Sequence, residues 1–127
     1  MRLTLIGCVA LLTLAGCSDV GQQQAAEAAL EWTTAAPSQA CELLAPDTAD
    51  AVAEQSDGNC VRALAAIERP RAGAVLGTEL AGQNAQVRLE NDVVFLALFP
   101  DGWRVTAADC QRDDPDPEVP YRCEVEP

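Results

Sequence analysis

Residues 86–99 read QVRLENDVVFLALF, and this stretch decides the fold of the 127-residue chain. Its first part alternates polar and apolar side chains and places Val87 and Leu89 on one face, which is typical of a half-buried strand. Its second part, residues 93–99, is apolar on both faces and predicts the central, most buried strand of a sheet. The Asn-Asp pair at 91–92 tolerates positive φ and therefore favours a tight hairpin between the two strands.

Further strands are expected on both sides of this hairpin. Residues 103–107 alternate, so they predict a last strand whose side chains 103, 105 and 107 share one face. The Phe-Pro-Asp-Gly sequence at 99–102 before it suits a type I turn. Upstream, residues 73–80 predict a first strand that two glycines weaken. Together these segments predict an antiparallel sheet of three to four strands.

The part of the chain before the strands is helical in pattern. Apolar residues recur at helical spacing in four segments, residues 22–35, 38–44, 46–55 and 60–68, which prolines and a Ser-Asp-Gly-Asn break separate. Ser38 is expected to cap the second of these helices. Because the helices precede the strands, the sequence predicts an α+β domain with its N-terminal helices packed on one face of the sheet.

The first 16 residues have the features of an export signal. Arg2 supplies a positive start, and residues 3–14 form an apolar run that is shorter than the roughly 20 residues needed to span a bilayer. The run ends in Leu-Ala-Gly-Cys at 14–17. This sequence resembles the bacterial lipobox, which implies cleavage before Cys17 and attachment of diacylglycerol and palmitate to that cysteine. An ordinary secretory signal that precedes a cysteine by chance is the alternative.

The chain accordingly divides into a signal peptide at 1–16, a lipidated tether at 17–21 and a single α+β domain at 22–127. Two or three acyl chains on Cys17 would anchor the protein stably, since one chain alone binds a bilayer only marginally. We therefore expect the mature protein at the extracytoplasmic face of the cell membrane, with the membrane itself as one partner.

Four cysteines remain after Cys8 is lost with the signal peptide and Cys17 is committed to lipid. An even number of cysteines in an exported chain predicts disulfides, and three pairings are formally open. Two of the four lie in helical segments, and the other two flank one acidic, proline-rich loop. We therefore favour two short-range disulfides, each worth on the order of 3 kcal/mol. The favoured pairs are Cys41 with Cys60 and Cys110 with Cys123.

Charge and composition exclude several functions. The formal net charge is −12, from 20 acidic and 8 basic residues, and every basic residue is an arginine scattered among carboxylates. Nucleic acid is therefore not expected as a partner, because phosphate binding needs clustered cations. The same charge repels anionic headgroups, so the body of the domain is expected to stand off the membrane.

Histidine and several catalytic, redox and phosphate-binding motifs are missing from the sequence. The chain has no histidine, which removes the usual general base and the commonest metal ligand. It also has no C-x-x-C pair, no G-x-S-x-G sequence and no Gly-rich phosphate loop. Residues 113–118, DDPDPE, predict a solvated acidic loop, with a calcium site as the alternative. We expect no enzyme, no cofactor and no metal site.

Three stretches resemble the small secreted lipoproteins of GC-rich actinobacteria. They are residues 14–17, the sequence ACELLAP at 40–46 with Cys60 after it, and the sequence DVVFLALFPDGWRV at 92–105. The resemblance implies an exported, disulfide-bonded domain and carries no activity. The order of helices and strands is also similar to the cone-shaped fold named for nuclear transport factor two, whose members often enclose an apolar pocket between helices and sheet.

Two functions follow as expectations. The first is a non-catalytic, lipid-anchored accessory domain that binds another component of the cell envelope, because a tether raises the effective concentration near such partners. The second is a small apolar-ligand carrier or isomerase-like enzyme, with a pocket lined by Trp32, Phe95 and Trp103. Solid packing of these aromatics would argue against the pocket, whereas a cavity with a buried carboxylate would favour it.

Overall fold

Four helices precede five strands in the computed structural model, which describes residues 17–71 and 73–127. The helices are α1 (Cys17–Thr34), α2 (Pro37–Leu43), α3 (Pro46–Glu54) and α4 (Cys60–Ala66). The strands are β1 (Val75–Ala81), β2 (Asn84–Leu89), β3 (Val93–Phe99), β4 (Gly102–Gln111) and β5 (Arg122–Val125). The predicted α+β class is confirmed, but the sheet has five strands rather than three to four. The predicted signal peptide at 1–16 lies outside the described residues.

The five strands form one antiparallel sheet in the order β1-β2-β3-β4-β5. The segment predicted as the central strand, β3, is in the middle of this order. The additional strand, β5, follows the acidic loop and pairs with the end of β4, where Cys110 lies opposite Cys123. Sequence pattern missed β5 because it is only four residues long and owes its pairing to that tertiary contact.

The β2–β3 hairpin is confirmed, although its turn differs from the one expected. The turn residues are Glu90 and Asn91, and the Leu89 N–H donates to the Asp92 carbonyl oxygen at 2.8 Å. Neither Asn91 nor Asp92 has positive φ. Asp92 instead places its carboxylate in the protein interior, with 6% of the residue exposed. The expected reason for the turn was therefore wrong.

A bulge in β4 breaks the predicted alternation of its side chains. Leu96 pairs with Val105, whereas the preceding Phe95 pairs with Ala107, so Thr106 is an extra residue in β4. The bulge turns Ala107 to the sheet face opposite Val105. The prediction that side chains 103, 105 and 107 share one face is thus wrong for the last of them.

The bulge also gives β4 a second neighbour on its outer edge. The Thr48 hydroxyl of α3 donates to the Thr106 carbonyl oxygen at 2.9 Å. Just before α3, the Ala45 N–H donates to the Val105 carbonyl oxygen at 2.8 Å, and Leu44 forms a parallel bridge with Val105. The chain between α2 and α3 therefore covers the half of the β4 edge that β5 does not reach.

Helix α1 packs on the sheet through small side chains. Ala25 and Ala29 are fully buried, and alanine at these positions lets the helix backbone approach the strands closely. Trp32, one turn further on, is only 2% exposed and fills the space between α1 and the sheet. The helix begins at Cys17, so residues 17–21, predicted as a tether, form its first turn.

Proline begins two of the helices, and asparagine caps a third. Pro37 and Pro46 stand in the first turns of α2 and α3, where a missing N–H costs nothing. The N-cap of α2 is Ala36 without a side-chain hydrogen bond, so the expected Ser38 cap is wrong. Helix α4 has a side-chain cap, because the Asn59 Oδ1 accepts the Arg62 N–H at 2.9 Å.

The structure contains both predicted disulfides. Cys41 in α2 is bonded to Cys60 at the start of α4, and Cys110 in β4 is bonded to Cys123 in β5. The first disulfide ties two short helices together, and the second fixes the last strand to the sheet. Both constrain segments that are too short to be stable alone.

Arg69 holds the carboxyl end of α1. Its guanidinium donates to the backbone oxygens of Trp32, at 2.7 Å, and Ala35, and its carbon lies 5.0 Å from the centre of the Trp32 ring. Partial burial lowers the pKa of this guanidinium below its ordinary value, through desolvation. Cationic side chains are favourable at a helix carboxyl end, where backbone carbonyls lack partners.

Arg69→Ala is expected to destabilise the domain by about 2 kcal/mol, because charge-assisted hydrogen bonds to two carbonyls and the contact with Trp32 are lost. Arg69→Lys should restore part of this, since an ammonium keeps the charge but not the two-pronged geometry. The measurement is urea unfolding followed by tryptophan fluorescence. Arg71→Ala is the control, because the Arg71 side chain is exposed; an equal loss in both alanine variants would contradict the role of Arg69.

Candidate functional site

The three aromatic residues proposed to line a pocket do not come together. Trp32 is buried between α1 and the sheet, and Trp103 packs against this core from the start of β4. Phe95 lies on the opposite face of the sheet, where its ring is 5.6 Å from that of Tyr121 in an edge-to-face arrangement. The sheet itself separates Phe95 from Trp32, so these residues cannot line one pocket.

The chain after β4 folds back over the face of the sheet that the helices leave uncovered. Tyr121 rests on Phe95, and the Arg112 guanidinium lies 4.1 Å from the centre of the Tyr121 ring. Stacking on an aromatic ring gives a guanidinium a favourable site without a carboxylate partner. This three-residue stack secures both ends of the acidic loop, since Arg112 precedes the loop and Tyr121 follows it.

A cleft at the carboxyl end of β4 is the most distinctive polar feature of the described residues. We call it the acidic cleft. Two adjoining depressions share Asp109, Gln111 and Glu124, and the wider one also includes Glu68 and Pro70 from the chain after α4. Both depressions are open at the surface. Asp109, Glu124 and Glu68 give the cleft its negative charge. Arg122 at its rim pairs with Asp113 outside it.

Asp92 supports the acidic cleft from behind. Its Oδ1 accepts the N–H groups of Val93, at 2.7 Å, and Cys110, at 3.0 Å, while its Oδ2 accepts the Asp109 N–H at 3.1 Å. Burial raises the pKa of Asp92, and the three N–H donors partly oppose this. The carboxylate thus joins the β2–β3 hairpin to the end of β4.

Asp109 has an unusual backbone and an unusual charge environment. Its φ is +53°, which is uncommon for a residue other than glycine and is better tolerated by aspartate and asparagine than by most others. Burial raises the pKa of its carboxyl group, and the negative charges of Asp92 and Glu124 raise it further. A strained, half-buried carboxylate in a cleft is the pattern expected of a functional group.

The side chains of this cleft can bind polar and cationic groups. Charged Asp109 and Glu124 accept hydrogen bonds and attract cationic groups, and Gln111 can both donate and accept. Among residues 17–71 and 73–127, no group of three or more acidic or cysteine side chains is placed to hold a metal ion. The calcium alternative for the loop at 113–118 therefore gains no support from the described residues.

Sequence reasoning missed both carboxylates of this region. The sequence predicts a turn position for Asp92, because an Asn-Asp pair is typical of tight turns and gives no sign of burial. Asp109 lies between two residues whose burial depends on the β4 bulge, so no period in the sequence identifies it. The sequence offers one indication that Asp109 lies in an ordered part of the domain, which is that it directly precedes Cys110, a residue predicted to form a disulfide.

The predicted anchor residue, Cys17, is the first residue of α1. No helix in the described ranges 17–71 and 73–127 has the length and apolar character needed to cross a bilayer. No protein-family model matches the chain, and neither the curated proteins nor the solved structures compared with it gave a match. The chain's own residues therefore carry any assignment of function.

Asp92→Asn is expected to cost about 1–3 kcal/mol and lower Tm by several degrees, because one of the two carboxylate oxygens becomes an NH₂ group facing a backbone N–H. The measurement is thermal unfolding followed by circular dichroism. Asp109→Asn is the matched comparison and is not expected to lower Tm, since the Asp109 carboxylate accepts no backbone N–H among the described residues. Equal Tm values for Asp92→Asn and the unmodified chain would contradict the role of Asp92.

Asp109→Asn itself is expected to raise stability at neutral pH and to flatten its pH dependence. The folded-state pKa of Asp109 is raised, so the folded chain binds a proton that the unfolded chain releases, and stability falls as pH rises above about 4. Urea unfolding at a series of pH values from about 4 to about 7, which covers the titration of a carboxyl group with a raised pKa, measures this. A steeper fall in the variant than in the unmodified chain would disprove it.

Proposed function

We propose that this chain is a lipid-anchored, extracytoplasmic accessory domain that binds another component of the bacterial cell envelope through its surface. The observation that carries the proposal is the filled interface between helices and sheet. Trp32, Leu44, Leu64 and Leu96 are almost fully buried within one continuous cluster. Carriers and isomerase-like enzymes need an enclosed apolar cavity in that position. A solid core leaves the surface as the place where such a domain acts.

The disulfides support an extracytoplasmic location. Structural disulfides persist in oxidising compartments and are rare in the reducing cytosol. Cys41 with Cys60 and Cys110 with Cys123 use all four cysteines that follow Cys17. The remaining cysteine of the mature chain is thus the one that the lipobox-like sequence at 14–17 assigns to lipid. Cleavage before Cys17 and acylation of its sulfur would hold the domain at the outer face of the membrane.

Charge favours a basic partner surface. The chain has a net charge of −12, and in the part of the molecule described here Asp109 and Glu124 have no arginine paired with them. Complementary charge speeds association and selects among partners. A basic face on an envelope protein would match this surface better than an acidic or apolar one.

The alternative of a small apolar-ligand carrier or isomerase-like enzyme gains no such support. Its pocket required Trp32, Phe95 and Trp103 to surround one cavity, and Phe95 lies across the sheet from Trp32. Asp109 is the half-buried carboxylate whose raised pKa would best suit a general acid. It lies in an open cleft at the other end of β4 from Trp103. A reaction site in this position would be exposed to water.

Cys17→Ala is expected to abolish labelling by a palmitate analogue and to release the protein from membranes, because the acylated sulfur is lost. Cys8→Ala is the matched control, since it removes a cysteine from the predicted signal peptide and should leave labelling unchanged. Gel fluorescence of the labelled protein and membrane fractionation measure the two effects. Labelling that persists in Cys17→Ala would contradict the anchor.

The released Cys17→Ala protein also separates the two functions. In native mass spectrometry, the surface-binding function predicts the mass of the bare chain. A copurified apolar adduct that survives gentle desolvation would contradict that function and favour a carrier. Cross-linking of the lipidated protein in intact cells then searches for the envelope partner.

A further inference from the structure

Helix α1 connects Cys17 to the domain without a flexible linker. It runs without a break from Cys17 to Thr34, and its 18 residues span about 27 Å at 1.5 Å per residue. From Ala25 onward the helix is packed against the sheet. An acyl group on Cys17 would therefore be joined to a rigid rod rather than to a loose tether, and the rod's direction fixes which end of the domain meets the membrane.

The end of the domain next to Cys17 can be identified from contacts along the sheet. Gly21 lies against the Leu80 side chain, so a Cβ at that position would meet the Leu80 Cδ1 at 3.1 Å. Leu80 is next to the β1–β2 turn, and the Gln83 carbonyl oxygen in that turn accepts the Leu98 N–H at 2.8 Å. We call this the proximal end, which also includes the β3–β4 turn at Asp101.

The other end of the domain is the distal end. There Arg69 holds the carboxyl end of α1, and the Asn91 side chain in the β2–β3 turn donates to the Arg71 carbonyl oxygen at 3.2 Å. The acidic cleft around Asp109 is at the same end, because β4 runs away from the proximal end toward Gln111. The acidic loop at 113–118 follows directly from there.

The two ends differ in character. At the proximal end Val20 is 54% exposed and Leu98 is 43% exposed, and Asp101 is paired with Arg104. Leu76, near the start of β1 at the distal end, is 59% exposed, so the two ends differ in charge rather than in apolar exposure. At the distal end the carboxylates of the cleft and loop accumulate negative charge. Bacterial lipid headgroups are largely anionic or zwitterionic, so a membrane surface repels the negatively charged distal end or does not attract it. Exposed apolar side chains at the proximal end can lie in the interfacial region of the bilayer.

We propose that the proximal end of the domain lies against the lipid bilayer, with Val20 and Leu98 at the interface, and that the acidic cleft is presented away from the membrane. This inference rests on the proposed anchor at Cys17 and adds the orientation of the domain. The lipid surface is the partner of the proximal end. A basic partner protein would then meet the distal end, about the length of α1 above the membrane.

The test uses the lipidated mature protein, isotope-labelled and inserted into phosphatidylcholine nanodiscs that contain a small share of gadolinium-chelate lipid. Paramagnetic relaxation of backbone amides reports their closeness to the bilayer. We expect the enhancement at Gln83, Leu98 and Gly102 to be several-fold larger than at Asn91 and Asp114. Equal enhancement at both ends, or a larger one at the distal end, would overturn the orientation.

Three variants test the roles of α1 and of the exposed apolar side chains in this orientation. A ten-residue Gly-Ser insertion after Cys17 is expected to abolish the difference between the two ends, because a loose tether of this kind lets the domain tumble. The double variant Val20→Ser with Leu98→Ser should reduce the difference. Leu76→Ser should not, although Leu76 is 59% exposed, because it lies toward the distal end of β1. A difference that survives the insertion unchanged would contradict the role of α1.

The outcomes also separate this inference from the proposed function. A chain that is not acylated on Cys17 would not insert into nanodiscs at all, and both proposals would then fail. A chain that is acylated and inserted but shows uniform relaxation would keep the anchor and exclude the fixed orientation.

Discussion

The carboxylate of Asp92 is the interaction on which the arrangement of the sheet depends. It is buried, and it accepts three backbone N–H groups from two different strands. These bonds tie the β2–β3 hairpin to the part of β4 where Asp109 takes a left-handed backbone conformation. Because Cys110 is one of the three donors, the same carboxylate positions the β4 end of the second disulfide. Strand β5 and the acidic cleft are therefore both held in place through this one side chain.

Small side chains set the second constraint. Ala25 and Ala29 let α1 lie close on the sheet, and Trp32 then occupies the widest part of the interface. A helix that approached less closely would leave unfilled space between itself and the sheet. In this chain the consequence is a core that side chains fill between the helices and the sheet.

The sequence predicted the parts of the fold that depend on local pattern. The alternation at Val87 and Leu89, the apolar run of β3 and the helix start at Pro46 are local features, and the structure has them. The bulge at Thr106 could not be predicted, because it depends on bonds from Thr48 and Ala45, which are distant in sequence. The short strand β5 depends on its disulfide in the same way.

The site was less predictable than the fold for a related reason. A one-residue bulge reverses which side chains face the core, so the expected grouping of aromatics on one face could not hold across β3 and β4. Carboxylates such as Asp92 have the same local context whether they cap a turn in solvent or bind backbone groups in the interior. Only tertiary contacts distinguish these two roles.

The outer edge of β4 is covered by other segments of the chain. An open sheet edge is a template for pairing with another copy of a chain, and molecules confined to a membrane plane meet one another far more often than molecules in bulk water. The segment at Leu44 and Ala45 pairs with one half of the β4 edge, and the short, disulfide-bonded β5 closes the other half. What remains on that side is a strand of four residues, too short to recruit a neighbour. The proposed membrane anchor would therefore crowd copies of the domain together without edge-to-edge aggregation along this side.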